Sequence, residues 1–155
     1  MPESLESIAI KVEESFESRM NALISELDRT DSPQVLIFVN SIEQADKVAQ
    51  RLQEADVPAT SFHGKRGDKQ DQLAAFENME VTALVSTDLG ARGIDLPNVF
   101  LIVEFEVPDY YVMHLHRAGR TGRTGQTDVQ ARAVLLYSES DSGPELNQML
   151  KAKTR

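Results

Sequence analysis

The chain has 155 residues, 41% of them hydrophobic and 26% charged, which suits one ordinary soluble domain with a real core. It contains no cysteine, so disulfides and thiolate metal sites are excluded, and no apolar run approaches the roughly 20 residues of a membrane span. The formal net charge of -9 argues against a protein that coats nucleic acid by bulk electrostatics. The acids are unevenly spread. Residues 1–31 carry eight of them against Lys11, Arg19 and Arg29, whereas 115–132 holds Arg117, Arg120, Arg123 and Arg132 with only Asp128 opposing. Any contact with a polyanion must therefore be local and built from placed groups. The opening MPESLESIAI lacks the basic and apolar regions of a secretory signal, so an intracellular protein is expected.

In chain order, Phe16, Met20, Leu23, Ile24 and Leu27 recur at helical spacing and predict a helix over 13–28, broken by DRTDSP. QVLIFV at 34–39 is a short apolar run rich in β-branched residues, the pattern of a strand buried on both faces. Ser41 and Gln44 then form a capping box, opening a helix whose apolar face is Ala45, Val48, Ala49 and Leu52. Strand 59–62, helix 68–79 with Leu73, Phe76 and Met79, and strand 82–86 follow. After the irregular TDLGARGIDLPN come strand 100–105, a short helix at 109–117, strand 131–137 and a final helix near Pro144. Without repeats or long linkers, residues 1–155 read as a single domain. The alternation predicts an α/β sandwich around a mostly parallel central sheet flanked by helices.

Ligands in such folds gather outside the carboxyl ends of the strands. Three polar segments follow strands directly and so share that edge: NS after 34–39, HGKRG after 59–62 and TDLGARGID after 82–86. Helix N-termini there suit a line of phosphates, although Ser41 and Asp68 equally fit as helix caps and HGKRG as a surface turn. In TDLGARGID, Gly90 and Gly93 permit close approaches, and Asp95 is placed to accept from a ribose hydroxyl. Alternatively, Asp88 and Arg92 pair to hold that loop. In HRAGRTGR, Arg120 and Arg123 lie three apart, a spacing suited to a transferring phosphoryl group or to a solvated basic loop. His63, His114 and His116 lack further ligand types nearby, so no metal site is expected. No GxxxxGK[ST] loop and no acidic DEAD tetrad appear, so a phosphate cradle is missing.

VLIFVNS, STDLGARGID and HRAGRTGR resemble motifs IV, V and VI of the second, C-terminal RecA-like domain of DEAD-box ATP-dependent RNA helicases. The likeness covers about 34–137, with fitting flanking helices. It implies a RecA-like three-layer sandwich. It also implies that Arg120 and Arg123 contact a γ-phosphate held by another domain, and that His116 couples ATP to RNA. Asp95, with Gly93 beside it, matches the positions near the nucleotide ribose. Thr87 and Gly64 match positions on the RNA backbone, with Asn40, Ser41, Lys65 and Asp88 close by, while Arg92 matches an architectural arginine. One departure is visible: HGKRGDKQDQLAAF is about two residues shorter than the family's motif IVa region, putting Arg66 and Lys69 where a glutamine and an arginine stand. The implied cofactor is ATP with Mg2+, held mainly by an N-terminal RecA-like domain. Implied partners are that domain, single-stranded or duplex RNA, and a protein regulator, with no membrane. The domain alone is expected to be inactive. The competing expectation is a non-catalytic RNA- or protein-interaction module that presents the acidic face at 1–31.

Overall fold

The computed structural model of the chain describes residues 5–63, 69–120, 130–151 and 153. In order the elements are β1 (Leu5–Lys11), α1 (Phe16–Arg29), β2 (Gln34–Phe38), α2 (Ile42–Glu54), β3 (Ala59–Phe62) and α3 (Lys69–Glu77). They continue with β4 (Ala83–Ser86), β5 (Val99–Glu104), α4 (Tyr111–Ala118), β6 (Ala131–Tyr137) and α5 (Pro144–Lys151). The six strands form one sheet in the order β1-β6-β5-β2-β4-β3. All the pairings are parallel, which sharpens the mostly parallel sheet expected from the alternation.

The side-chain period of 2 along the strands builds the layers. In β2 and just beyond, Val35, Ile37 and Val39 join a core with Met20 and Leu23 of α1 and Ala45, Val48 and Leu52 of α2. Leu36 and Phe38 point the other way, into a core with Phe62, Phe76 of α3 and Leu84. The same alternation in β6 sends Val134 and Leu136 to the first face. Ala131 and Ala133 meet Ala118 of α4, and Leu135 meets Leu146 and Met149 of α5. Two helices therefore cover one face and three the other, a three-layer sandwich. No helix among the described residues is long and apolar enough to cross a membrane.

Caps set the helix starts. Ser15 accepts from the Ser18 amide at 3.0 Å and Ser41 from the Gln44 amide at 3.1 Å, each satisfying an orphan donor of the first turn. Elements differ from expectation in two places. LESIAIK, for which the sequence pattern predicts no element, is β1, paired with β6 from Leu5↔Ala131 to Lys11↔Tyr137. Helix α3 ends at Glu77, before Met79, which takes a φ of 64° and is 45% exposed rather than part of an apolar helix face. The acidic stretch 1–31 is partly neutralised from within. Arg132 holds Glu26 at 2.9 Å and Glu6 at 2.6 Å, Arg51 holds Glu17 at 2.8 Å, and Glu14 accepts from the Ser138 and Ser140 hydroxyls. Those bonds pull the Glu14 and Glu17 carboxyls below the usual range, Glu14 chiefly through Ser138 and Glu17 chiefly through Arg51.

Candidate functional site

The carboxyl ends of β2, β4 and β5 converge on one buried side chain, Arg117 of α4, which is 1% exposed. A guanidinium has five N–H donors in a fixed plane, and all of them are engaged here. Nε and Nη2 bind the two oxygens of Asp88 at 2.7 and 2.8 Å. Nη2 also donates to Asn40 Oδ1 at 2.7 Å, while Nη1 donates to the Glu106 carbonyl at 2.9 Å and Glu104 Oε2 at 3.3 Å. The guanidinium lies 5.2 Å from the Phe38 ring centre, so its face is covered as well. One side chain thus joins the segment after β2, the loop after β4, the end of β5 and helix α4.

Asn40 is fully engaged: its amide donates to Glu106 Oε1 at 2.8 Å and its Nδ2 to the Val107 carbonyl at 2.8 Å. Ser41 stays exposed at the start of α2. Asp88 pairs with Arg117, in place of the Asp88–Arg92 pair offered as an alternative, because the buried guanidinium presents a planar fork to both carboxylate oxygens. With both oxygens bound, Asp88 serves to hold the loop. Thr87 Oγ1 accepts from the Gly90 amide at 3.3 Å, tightening the turn after β4. That turn crosses the end of β3 so closely that a Cβ on Gly90 would sit 2.6 Å from the Phe62 carbonyl oxygen. Further along, Gly93 takes a φ of 78°, the left-handed region glycine favours.

Above Arg117 opens a cleft of about 460 Å³ lined by Phe38, Asp88, Ala91, Arg92, Met113, His116, Arg117 and Arg120. His116 and Arg92 are exposed and Arg120 is half-buried. Among the described residues the one carboxylate in that lining, Asp88, is already paired with Arg117, so they offer cationic groups without a free anion. Such a lining fits a polyphosphate oxygen cluster. Asp95 and Gly93 are exposed on the loop after β4 and do not line the cleft. Asn40 instead borders a neighbouring polar hollow with Gln44 and Lys47. Arg123, Gly64, Lys65, Arg66 and Asp68 lie outside the described residues. Lys69, at the start of α3, holds its ammonium 4.8 Å from the Phe62 ring centre. Among the described residues no group of three His, Asp or Glu side chains is placed to hold a metal ion. The role of Arg117 is not among the sequence expectations, although an arginine flanked by Leu115 and Ala118 on a short helix is a signal for burial.

Residues 18–125 match the model of the helicase conserved C-terminal domain, and the chain belongs to that family. Within it, the chain is a RecA-like domain of the DEAD-box type. It is 34% identical over 137 residues to the probable ATP-dependent RNA helicase DDX4 of Pelophylax lessonae, covering 87% of this chain and 18% of that protein. It is 35% identical over 135 residues to DEAD-box ATP-dependent RNA helicase 21 of Oryza sativa subsp. japonica, with 86% and 18% covered. The crystal structure of the yeast DEAD-box splicing factor Prp28 superposes with a TM-score of 0.83 at 26% identity, over 95% of this chain and 32% of that one. The chain therefore spans about a fifth of the length of the curated relatives it matches.

Proposed function

We propose that the chain works as the C-terminal half of a DEAD-box ATP-dependent RNA helicase, closing with an N-terminal RecA-like domain over ATP and RNA. The observation that carries this reading is the cleft itself: Arg92, His116 and Arg120 face one opening while Arg117 ties its walls together. ATP, held with Mg2+ mainly by the first domain, would supply the γ-phosphoryl group, transferred to water with ADP as the leaving group, and that hydrolysis would drive the cycle. Arg120, joined by Arg123, presents guanidinium donors to the oxygens that gain charge in transfer. His116, exposed at the rim, bridges towards the RNA side, and Asp95 with Gly93 lies on the loop assigned to the ribose. On the RNA side, Thr87, Ser41, Gly64 and Lys65 offer hydroxyl, backbone and ammonium donors to phosphates, with Asn40 and Asp88 holding those segments in place. Backbone contacts of that kind give little sequence preference. A stretch of one strand bent along this edge no longer fits a duplex, which is how duplex RNA would be opened.

The test is to join the chain covalently to a DEAD-box first domain and measure RNA-stimulated ATP hydrolysis. Arg120→Ala is expected to lower kcat by about 10³-fold, the scale of a missing arginine finger. Undiminished turnover in the Arg120→Ala, Arg123→Ala double variant overturns the assignment. Thr87→Ala is expected to weaken RNA affinity alike across sequences, and unchanged affinity there counts against the proposed RNA edge.

A further inference from the structure

Behind the Arg117 clamp lies a second cluster of buried ionisable groups that the proposed reaction does not use. Glu104, 1% exposed at the end of β5, binds Arg117 through Oε2 and faces His114 Nδ1 with Oε1. His114, also 1% exposed, meets the Lys153 Nζ with its Nε2. Lys153 follows α5, and its Nζ also donates to Ser7 Oγ of β1 at 3.2 Å. Below about pH 8 Lys153 is an ammonium, which can only donate, so His114 Nε2 accepts from it there. The neutral imidazole then carries its proton on Nδ1 and donates that proton to Glu104. Asp88, Arg117, Glu104, His114 and Lys153 thus form an unbroken run that balances two anions against two cations.

We infer that Lys153 is a positioning residue for the cleft: it fixes the His114 tautomer, which orients Glu104, which in turn sets Arg117 and the loop holding Asp88. Docking of the Lys153 side chain therefore tightens the cleft wall, and its release loosens it. The functional weight of this rests on the nucleotide reading of the cleft; the physical linkage does not. Burial pulls the Lys153 ammonium down to about 8 against the opposing pull of the Glu104 charge. Lys153 meets His114 of α4 and Ser7 of β1 and feels the Glu104 charge of β5, while His114 lies beside the Tyr111 ring and Glu104 binds Arg117. The sign follows from linkage. Between about 8 and the ordinary 10.5 the released segment keeps a proton that the docked one has lost. Docking therefore strengthens as pH rises through that window, and below it the docked ammonium bears its full burial cost.

The test uses the chain itself, without ATP or RNA. Imidazole 15N signals report the His114 tautomer, and exchange of the Arg117 Nε–H reports the clamp. The native chain is expected to show Nδ1–H at His114. Lys153→Met, which keeps the stem and loses the donor, is expected to mix the tautomers and speed Arg117 Nε–H exchange about tenfold. Lys153→Arg is expected to restore both signals. Unchanged signals in Lys153→Met, or an Nε2–H tautomer in the native chain, overturn the proposal. Should Lys153→Met fail to fold, the native chain still decides: at about pH 7, below the Lys153 titration, its 15N signals must show His114 as Nδ1–H, and a mixed or Nε2–H population overturns the proposal. Because neither nucleotide nor RNA is present, failure here leaves the helicase reading standing. Failure of the ATPase test likewise leaves the tautomer result intact.

Discussion

Arg117 is held by five hydrogen bonds and has no solvent-exposed side-chain surface, so its partners depend on it more than it depends on any one of them. Removing it strands the Glu104 carboxylate, 1% exposed, and takes from Asp88 the cation it is paired with. Losing one partner of a buried ion pair costs about 3–5 kcal/mol, because the remaining charge stays desolvated. Arg117→Ala is accordingly expected to lower denaturant stability by that amount. Arg117→Lys is not expected to rescue it, since an ammonium cannot reach Asn40, Asp88, Glu104 and the Glu106 carbonyl from one plane. A chemical-denaturation midpoint for each variant checks this, and a cost below about 1 kcal/mol for Arg117→Ala would refute the clamp. Arg120, three residues further on and half-buried at the cleft, is expected to behave oppositely: Arg120→Ala leaves stability nearly unchanged and lowers turnover.

Between elements, the turn after β4 is where local chain chemistry controls the site. Gly90 touches the Phe62 carbonyl oxygen and Ser86 Oγ, at 2.6 and 2.7 Å from where a Cβ would stand. The first of these is backbone at the end of a buried strand and cannot swing aside. Gly90→Ala is expected to push the turn off the sheet at a cost of about 1–3 kcal/mol, displacing Thr87 and Asp88 with it. Amide NMR shifts confined to residues 86–95 and 117 would bear that out; an unshifted spectrum would count against it. This turn also shows how far the chain could be read in advance. The glycines pointed to a close approach, and the capping box at Ser41 and Gln44 pointed to a helix start, because both are local devices. The partner of Asp88 was not local. An acid four residues from Arg92 suggested a short-range pair, and only packing α4 against the sheet put Arg117 nearer.

At the scale of the molecule, the sheet order leaves β1 and β3 at the edges, and the strand partner of β1 is β6, more than a hundred residues away in sequence. Its alternation is blunt: Leu5 and Ser7 are buried, while Glu6, Ile8, Ala9 and Ile10 are half-buried, so no clean polar and apolar faces mark it in the sequence. Deleting residues 1–12 would uncover the edge of β6 and the Ile8 and Ile10 side chains' share of the core. The shortened chain is expected to lose several kcal/mol and to self-associate through the bare edge. Denaturation and size-exclusion profiles at several concentrations check both, and an equally stable monomer would contradict them. The same deletion removes Ser7, so it should also weaken the docking of Lys153.

The amino-acid sequence by itself determined the order and kind of nearly all the elements, the parallel sheet, and the three segments that bear motifs IV, V and VI. The elements follow from periodicity, caps and turn chemistry, which act over a few residues and survive in any window of the chain, whereas the motifs stand out by their resemblance to the DEAD-box family. Tertiary structure alone decided β1, the premature end of α3, the pairing of Asp88 with Arg117, and the buried run to Lys153. Each of these rests on groups brought together across the sheet by burial. The reason is dielectric as much as geometric: ionisable groups such as Glu104, Arg117 and His114 can be removed from water only where the fold supplies a partner for every one.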